Sequence, residues 1–275
     1  MCKIGFIGFG NMGSIMIKAL IDNGALSQEQ VIVFTRTQNK LNDFTEKYRN
    51  VEIAKSLAEL TTKCKRIFLC TGTMDLKGVL SELVHYLPKD VHLITITGTV
   101  EIKCVESIFT GKITKIMPTQ IAEIGEGVTL ICHNNKVTPE DQSFIRVAFA
   151  SIGKIKEIQE SQFDLASDLS SCAPAFYAAI LNNLAKVSQK HGDLNTDDIK
   201  EIILPTAYGT TRLFMEQKAG FTDLISRVAT KGGISEEGVK ILDRELPDVF
   251  DELLTVTLAK REKIKQIVRE QYGVN

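Results

Sequence analysis

Three glycines near the start of the chain restrict its fold more than any other feature. Residues 3–8, within the segment KIGFIGFGNMGSIMIKA, have the apolar composition of a short buried strand, and residues 14–20 have helical periodicity. Between them, Gly8, Gly10 and Gly13 have the spacing G-x-G-x-x-G. Between a strand and a helix, such glycines allow a tight turn, the approach of a pyrophosphate to the backbone, and close packing of the helix on the strand. The segment therefore predicts a dinucleotide-binding site at the N-terminus of this helix.

The composition limits the class of protein and of partner. The chain has 275 residues, of which 44% are hydrophobic and 24% charged, and this is enough for a globular protein with two cores. Its net charge of −1 provides no electrostatic attraction for nucleic acid or anionic membranes. No apolar run approaches the roughly 20 residues of a membrane span. We therefore expect no nucleic-acid partner, no membrane partner and, because the chain begins directly with a strand, no signal peptide.

The cysteines and histidines have neither the spacing of a metal site nor that of a disulfide framework. The six cysteines are scattered without a C-x-x-C pair, and the four histidines lack the spacing of zinc ligands. We therefore expect no metal and a cytoplasmic protein with reduced thiols. The cysteines are Cys2, Cys64, Cys70, Cys104, Cys132 and Cys172.

The end of the second predicted strand, residues 31–35, bears on the choice of cofactor. An NAD site usually has an Asp or Glu there, about 20 residues after the glycines, to bind the ribose 2′-hydroxyl. This chain instead has Thr35, Arg36 and Thr37. An arginine between two hydroxyl side chains suits a 2′-phosphate, which takes a bidentate cation and short donors. We therefore predict NADP(H) rather than NAD(H); a solvated arginine at a strand end is the alternative interpretation.

Strand and helix patterns alternate as far as about residue 160, after which only helical patterns follow. This order predicts an α/β protein, with an N-terminal Rossmann-type doubly wound parallel sheet followed by an all-helical C-terminal domain. The predicted domains are residues 1–159 and 160–275. A small helical domain rich in Leu, Ile and Ala often completes its core against a second subunit, which favours a homodimer. The predicted strands are residues 3–8, 31–35, 51–54, 66–71, 91–97, 112–117, 128–133 and 153–158. The last two predicted helices are residues 235–245 and 247–271.

The carboxyl ends of these strands are where a doubly wound sheet binds its ligands. We therefore expect residues 71–73, 97–99 and 118–120 to surround the nicotinamide ring. The candidate contacts at this rim are Thr71, Gly72, Thr97 and Pro118.

Four segments of the chain form a set that can be compared with known families. They are IGFIGFGNMG, KIMPTQIAEIGEGVTLI, LSSCAPAFYAAILNNLAK and VATKGGISEEGVKIL. In order and spacing they resemble the pyrroline-5-carboxylate reductases, over essentially the whole chain. The resemblance implies an oxidoreductase that reduces the cyclic imine 1-pyrroline-5-carboxylate to L-proline with NADPH or NADH, the last step of proline biosynthesis. It also implies a homodimer interlocked through the helical domain, with dimers that assemble further, often into decamers.

The resemblance also assigns roles to individual residues. The family's substrate loop, S-P-G-G-T-T, corresponds here to TKGGIS at residues 230–235. Its paired glycines hold the substrate carboxylate, and its last hydroxyl bonds the imine nitrogen, a role that falls on Ser235 as the catalytic donor. The implied substrate-binding residues are Gly232, Gly233 and Ser235. Lys231, which replaces the family's proline, is a further candidate partner of the substrate carboxylate. The implied contacts in the phosphate loop are Gly8, Gly10, Asn11, Met12 and Gly13.

Departures from the family motifs are concentrated on the substrate side and leave alternatives open. The family's M-P-N-T-P appears as MPTQI at residues 117–121, and its A-V-K-P appears as CTGT at residues 70–73. A reductase of another small imine and a non-catalytic nucleotide-binding paralogue are the two alternatives. A 3-hydroxyacid dehydrogenase shares the glycine-rich opening, but residues 174–181 lack the lysine base that such an enzyme needs. For Ser235, the alternative role is a helix N-cap.

Overall fold

The computed structural model of the chain describes residues 3–218 and 220–274. Within these residues, the strands are β1 (Lys3–Ile7), β2 (Val31–Phe34), β3 (Glu52–Ile53), β4 (Cys64–Leu69), β5 (His92–Thr95), β6 (Lys112–Met117), β7 (Gly127–His133) and β8 (Gly153–Glu157). They form a single sheet in the order β3-β2-β1-β4-β5-β6-β7-β8. The strand order reverses between β1 and β4, which is the switch point of a doubly wound sheet. The predicted fold class, a doubly wound sheet followed by helices, is therefore confirmed.

Helices alternate with the strands of this sheet, and after β8 the described residues contain helices and no further strand. The helices of the α/β part are α1 (Asn11–Asp22), α2 (Asn42–Lys47), α3 (Leu57–Lys63), α4 (Leu76–Leu83), α5 (Ile102–Glu106) and α6 (Pro139–Ala150). They are followed by α7 (Phe163–Ser167), α8 (Ala173–Ser188), α9 (Thr196–Gln217), α10 (Phe221–Val228) and α11 (Ile234–Tyr272). Asn195 caps α9, because its side-chain oxygen accepts hydrogen bonds from the backbone N–H groups of Asp197 and Asp198.

Side chains alternate between the two faces of the sheet and build a core on each. Phe6 and Phe68 are paired on neighbouring strands, and their rings stack with centroids 4.8 Å apart. The residues on either side of Phe68, Ile67 and Leu69, belong to the core of the opposite face. Burial of both faces explains the nearly continuous apolar runs of these strands, which is the pattern of a parallel sheet covered by helices.

The direction of β7 differs from the expected all-parallel sheet. β7 pairs antiparallel with β6, and Ile131 lies opposite Ile116. Residues 118–126 join the two strands, and this connection is too short for the crossover of about a dozen residues or more that parallel neighbours need. β8 is again parallel to β7. The sheet is therefore mostly parallel, with one antiparallel pair.

The chain divides into two compact units, whose boundary differs from the predicted domain boundary at residue 160. The first unit comprises Met1–Cys172 and Thr257–Asn275, and the second comprises Ala173–Val256. The last turns of α11 belong to the first unit because Val268 and Tyr272 are buried in its core. The second unit is helical. The assignment of cofactor binding to residues 1–159 and of substrate binding and dimer formation to residues 160–275 stays a prediction.

One continuous helix replaces the two that the sequence predicts at residues 235–245 and 247–271. α11 runs through Pro247, which lies on an exposed part of the helix. Proline removes one backbone hydrogen bond, and the carbonyl that loses its partner can bond water when it is exposed. A long helix therefore tolerates the proline, and the predicted break is wrong.

Two findings concern the expectations about membranes and thiols. Across the described residues, no helix combines the length and the apolar character that crossing a membrane requires. Free thiols are found at Cys64, Cys70, Cys104, Cys132 and Cys172. Cys2 lies outside the described residues.

Candidate functional site

A cleft of about 400 Å³ opens at the carboxyl ends of β1, β2 and β4. It brings together seven of the residues that the sequence predicts as cofactor contacts: Gly8, Gly10, Thr35, Arg36, Thr37, Thr71 and Gly72. Its other polar residues are Lys40, Asp75 and Glu82, and its apolar wall includes Phe34, Leu57 and Val79. The position of the cleft is where an open α/β sheet binds ligands, at its topological switch point.

Each of the three glycines of the loop lacks a side chain for a different structural reason. Gly8 has φ +100°, and a Cβ there would lie 2.6 Å from the carbonyl oxygen of Cys70. A Cβ on Gly13 would lie 2.9 Å from the Cβ of Cys70, so this glycine permits the close packing of α1 on β4. A Cβ on Gly10 would meet no atom of the described residues within 4 Å. Gly10 therefore leaves open space at the mouth of the cleft.

The N-terminus of α1 faces this open space. Gly10 is the cap residue and cannot offer a side chain to the first backbone N–H groups of the helix. The first intrahelical bond is donated by Ser14, to the carbonyl of Gly10. The N–H groups of Asn11, Met12 and Gly13 therefore remain for a ligand, and the positive end of the helix dipole favours an anion there.

A buried hydroxyl at the same cleft lacks a hydrogen-bond partner. Within the part of the chain that the structure describes, nothing bonds the Oγ1 atom of Thr71, although this atom is shielded from solvent. An unbonded buried polar atom is uncommon, because it has lost its bonds to water without replacement. Together with the empty space above Gly10, this hydroxyl fits a polar ligand such as a dinucleotide.

Arg36 lies at the end of β2, at the outer side of the cleft. Its Nη2 is 3.2 Å from Oδ1 of Asp75, which precedes α4. Lys40 lines the same region. Sequence reasoning predicted Arg36 but missed Lys40, Asp75 and Glu82. Lys40 stands four positions after Arg36, and this spacing was an available signal for a second cation; the contact of Asp75 depends on the fold.

Five predicted cofactor residues do not line this cleft: Asn11, Met12, Gly13, Thr97 and Pro118. The side chain of Asn11 donates a hydrogen bond of 3.4 Å to Oε1 of Gln120. Met12 is half-buried in the first turn of α1, and Pro118 is buried after β6. Thr97 is buried after β5, where its hydroxyl lies 2.6 Å from that of Thr95.

Thiol chemistry is not available at the glycine loop. Cys70 lies directly under it and is buried. Burial raises the pKa of the Cys70 thiol far above its ordinary value. The thiol therefore stays protonated and acts as a packing group. Nor do the described residues contain a group of three or more His, Cys, Asp or Glu that could hold a metal ion.

The predicted substrate loop, residues 230–235, belongs to the second unit. Gly232 has φ +75°, and the N–H of Gly233 donates a hydrogen bond of 2.8 Å to the carbonyl of Thr230. α11 begins at Ile234, so Ser235 lies in its first turn and not at its N-cap. Lys231 and Ser235 are both exposed.

A carboxylate of the chain itself accepts a hydrogen bond from this loop. Oε2 of Glu236 accepts a hydrogen bond of 2.7 Å from the N–H of Gly232. Lys240 lies 3.8 Å from the same oxygen. The adjacent Glu237 pairs more closely with the same lysine, at 2.7 Å. One of the two paired glycines therefore already has an anionic partner.

Ser235 also lines an apolar cavity of about 390 Å³ within the second unit. Its walls come from α9, α10 and α11. The lining residues are Thr210, Leu213, Phe214, Leu224, Ile225, Val228, Ala229, Ser235 and Val239.

Many large apolar side chains of the second unit are exposed. A monomer rarely exposes so much apolar surface, and such surface usually marks a protein–protein contact. The exposed residues include Tyr177, Ile180, Leu184, Ile202, Leu204, Tyr208, Phe221, Val228, Ile241, Leu242, Val249 and Val256.

Two family models match the chain in separate segments. A model described as NADP oxidoreductase coenzyme F420-dependent matches residues 3–98. A model described as pyrroline-5-carboxylate reductase dimerisation matches residues 160–264. The first segment contains the glycine loop and Arg36, and the second contains the 230–235 loop.

Individual relatives match nearly the full length. Pyrroline-5-carboxylate reductase 3 of Bacillus subtilis is 29% identical, covering 98% of this chain and 99% of that protein. ComE operon protein 4 of the same organism is 26% identical, covering 99% and 100%. The structure of Plasmodium falciparum pyrroline carboxylate reductase with NADP bound has a TM-score of 0.82 at 25% identity, over 97% of this chain and 98% of that one. A pyrroline-5-carboxylate reductase of Coxiella burnetii has the same fold, with a TM-score of 0.87 at 23% identity over 96% and 98%.

Proposed function

Because the chain belongs to the pyrroline-5-carboxylate reductase family, we propose that it is an NADPH-dependent imine reductase that converts 1-pyrroline-5-carboxylate to L-proline. The single observation that carries the proposal is the cleft at Gly10, where open space, the free N–H groups of α1 and the unbonded hydroxyl of Thr71 meet. This arrangement fits the pyrophosphate of a dinucleotide. The substrate follows from the similarity to pyrroline-5-carboxylate reductases over nearly the full length of the chain.

The cofactor of the proposal is NADP(H). Thr35, Arg36 and Thr37 end β2 at the cleft, in the position that contacts the adenosine ribose in this fold. An arginine with two hydroxyl neighbours suits a 2′-phosphate, and a solved relative is described with NADP bound. When bound, the nicotinamide supplies a hydride to the carbon of the C=N bond.

The substrate end of the proposal rests on residues 231–235. The Ser235 hydroxyl hydrogen-bonds the imine nitrogen and assists its protonation, with a water as the ultimate proton source. The substrate carboxylate binds at Gly232 and Gly233, where it replaces Glu236 as the partner of the Gly232 N–H, and Lys231 adds a positive charge at the same loop. The chain contributes position and electrostatics and needs no metal or covalent nucleophile.

A homodimer is part of the proposal. The match to the dimerisation model over residues 160–264 supports an oligomer. A second subunit would bury the exposed apolar side chains of the second unit. Sedimentation over a range of concentrations tests this: we expect at least twice the monomer mass, and a monomer at all concentrations would refute it. A decamer is the larger assembly that the same measurement would detect. For the compartment we propose the cytoplasm, where thiols stay reduced.

Two alternatives are each favoured by one observation. Glu236 accepts a hydrogen bond from the N–H of Gly232, which favours a nucleotide-binding protein whose substrate loop is occupied by its own carboxylate. The similarity to ComE operon protein 4 is consistent with such a protein. The apolar cavity beside Ser235 favours a reductase of a more apolar imine.

One experiment separates these functions. Purified protein is mixed with NADPH and pyrroline-5-carboxylate, and NADPH oxidation is followed beside a titration of NADPH alone. Turnover with proline as product is expected. NADPH binding without turnover would refute the proline-forming reaction and favour the alternatives. If NADPH does not bind, the assignment of NADP(H) as the cofactor is wrong as well.

The variant Arg36→Ala tests the cofactor separately. We expect the dissociation constant of NADPH to rise at least tenfold while that of NADH changes little, because only NADPH carries the 2′-phosphate. An unchanged ratio of the two constants would refute the role of Arg36.

A further inference from the structure

The ion pair between Arg36 and Asp75 joins the two sides of the cofactor cleft. Arg36 follows β2, and Asp75 precedes α4 on the other side. Nη2 of Arg36 and Oδ1 of Asp75 are 3.2 Å apart, and the two side chains are 72% and 55% exposed. Such an exposed pair has little intrinsic strength, so a ligand of higher charge can displace one member of it.

The charges around this pair are nearly balanced. Arg36 and Lys40 provide two cations, and Asp75 and Glu82 provide two carboxylates, all lining the same cleft. Binding of a 2′-phosphate requires only the two cations, so the two carboxylates do not contribute to holding it. The two acids lower the positive potential that an incoming phosphate meets.

Among the residues that the structure describes, the Asp75 carboxylate has no structural role beyond its contact with Arg36. It stands at the N-cap position of α4, but its side chain makes no capping hydrogen bond. Its backbone N–H donates to the carbonyl of Gly72 at 3.1 Å, and this bond does not depend on the side chain. The side-chain contact that the structure assigns to it is therefore the one with Arg36.

We infer that Asp75 is a specificity-determining residue that acts through Arg36. Resting on the proposed function, the inference is that the Asp75 carboxylate competes with the 2′-phosphate of NADPH for the guanidinium of Arg36. NADPH has to replace one anion by another, whereas NADH carries no group that enters this exchange. Asp75 therefore reduces the preference for NADPH over NADH. Lys40 is the second cation that contacts the phosphate once Arg36 is released.

The test is the variant Asp75→Asn, which keeps the size of the side chain and removes its charge. NADPH and NADH are titrated separately into the wild type and the variant. We expect the dissociation constant of NADPH to fall about three- to tenfold, the order of one like-charge contact near the surface, and that of NADH to change less than twofold. An unchanged ratio would overturn the inference. Weaker NADPH binding would also overturn it, because Asp75 would then orient Arg36 for the phosphate.

Two matched variants show whether the effect acts through Arg36. Asp75→Asn in an Arg36→Ala background should leave the NADPH to NADH ratio where Arg36→Ala alone puts it, since the competition has been removed. Glu82→Gln neutralises another acid of the same cleft that is not paired with Arg36, and it should shift the ratio by less than Asp75→Asn. An equal shift would mean a general effect of charge and would overturn the specific role of Asp75.

The inference and the proposed function fail in different ways. If the wild type binds neither NADPH nor NADH, the proposed function is wrong. If it binds both and reduces the imine, but Asp75→Asn leaves the ratio unchanged, only the role of Asp75 is wrong. Lys40→Ala completes the set: we expect weaker NADPH binding in the Asp75→Asn background, and no loss there would overturn the role of Lys40.

Discussion

Arg261 and Asp168, 93 residues apart in the chain, form a buried ion pair. Nη2 of Arg261 lies 2.5 Å from Oδ1 of Asp168, whose side chain has no exposed surface, and the arginine side chain is 12% exposed. The hydroxyl of Thr257 donates a second hydrogen bond, of 2.7 Å, to Oδ2 of the same carboxylate. The pair connects the last turns of α11 to the segment after α7, within the first compact unit.

Removal of the Asp168 carboxylate should be costly. Asp168→Ala leaves a buried guanidinium without a counter-charge, which typically lowers the free energy of unfolding by about 3–5 kcal/mol. Glu216→Ala is the control, because it breaks an exposed pair with Arg212 and should cost less than about 1 kcal/mol. Chemical denaturation of the two variants measures the difference. Equal losses in the free energy of unfolding would show that the buried pair stabilises the fold no more than the exposed pair does.

Gly10→Ala should separate ligand binding from folding. Gly10 has φ −82°, which alanine adopts without strain, and its Cβ would meet no atom of the described residues. We therefore expect an unchanged melting temperature and at least tenfold weaker NADPH binding, because the methyl group occupies the approach of the pyrophosphate. Gly78→Ala, on the exposed face of α4, is the matched control and should leave binding intact. Unchanged affinity in Gly10→Ala would argue against this phosphate site.

Ser235→Ala tests the proposed proton donor. Turnover of pyrroline-5-carboxylate should fall by at least an order of magnitude while the affinity for NADPH stays the same, because the hydroxyl acts on the imine alone. The control is Ser226→Ala, whose hydroxyl bonds the carbonyl of Thr222 within α10. Full turnover in Ser235→Ala would remove this serine from the mechanism.

Glu236→Gln tests the carboxylate that bonds the substrate loop. In the proposed reaction its negative charge opposes binding of the substrate carboxylate, and its Oε2 accepts the hydrogen bond of the Gly232 N–H. Neutralising it should lower KM for pyrroline-5-carboxylate several-fold with little change in kcat, since the bond is lost or weakened before substrate binds. Glu237→Gln is the control: this neighbouring carboxylate pairs with Lys240 at 2.7 Å, whereas Glu236 is the acceptor of the Gly232 bond, so KM should change much less. A higher KM in Glu236→Gln would mean that Glu236 supports the loop in its binding form.

The stability of the fold should decrease as the pH falls below about 6.5, because of buried histidine. His92 lies on β5, and its Nε2 is 2.6 Å from the hydroxyl of Thr114, which also contacts Nδ1 of His133. Burial lowers the pKa of His92 to about 3, although the nearby charge of Asp141 opposes the shift. Burial also lowers the pKa of His133.

The sign of the effect follows from where the proton binds. Between pH 6.5 and about 3, the unfolded chain takes up a proton at His92 and the folded chain does not. The free energy of unfolding therefore falls with decreasing pH, by up to about 1.4 kcal/mol per pH unit for this group. His92→Gln should make the dependence shallower, and His85→Gln, at an exposed position, should not. Denaturation curves across this pH range measure the slopes, and identical slopes in all three proteins would contradict the role of His92.

The sequence by itself determined the features that depend on short spacing. The run from Lys3 to Gly13 specifies a strand, a turn and a helix start, because φ > 0 at Gly8 and the absence of a side chain at Gly10 are local requirements. The alternation of apolar runs and helical patterns likewise determined the doubly wound fold, since each buried strand and each amphipathic helix carries its own pattern.

Only the tertiary structure decided which distant groups meet. The pairs Arg36–Asp75 and Arg261–Asp168 join residues far apart in sequence, and no periodicity encodes them. The reversed direction of β7 follows from the length of its connection and from pairing with β6. Even the short-range contact of Glu236 with Gly232 depends on the loop turning back, with Gly232 at φ +75°. Local patterns reflect the conformational preferences of single segments, whereas these contacts depend on how the segments pack, and that is a property of the whole chain.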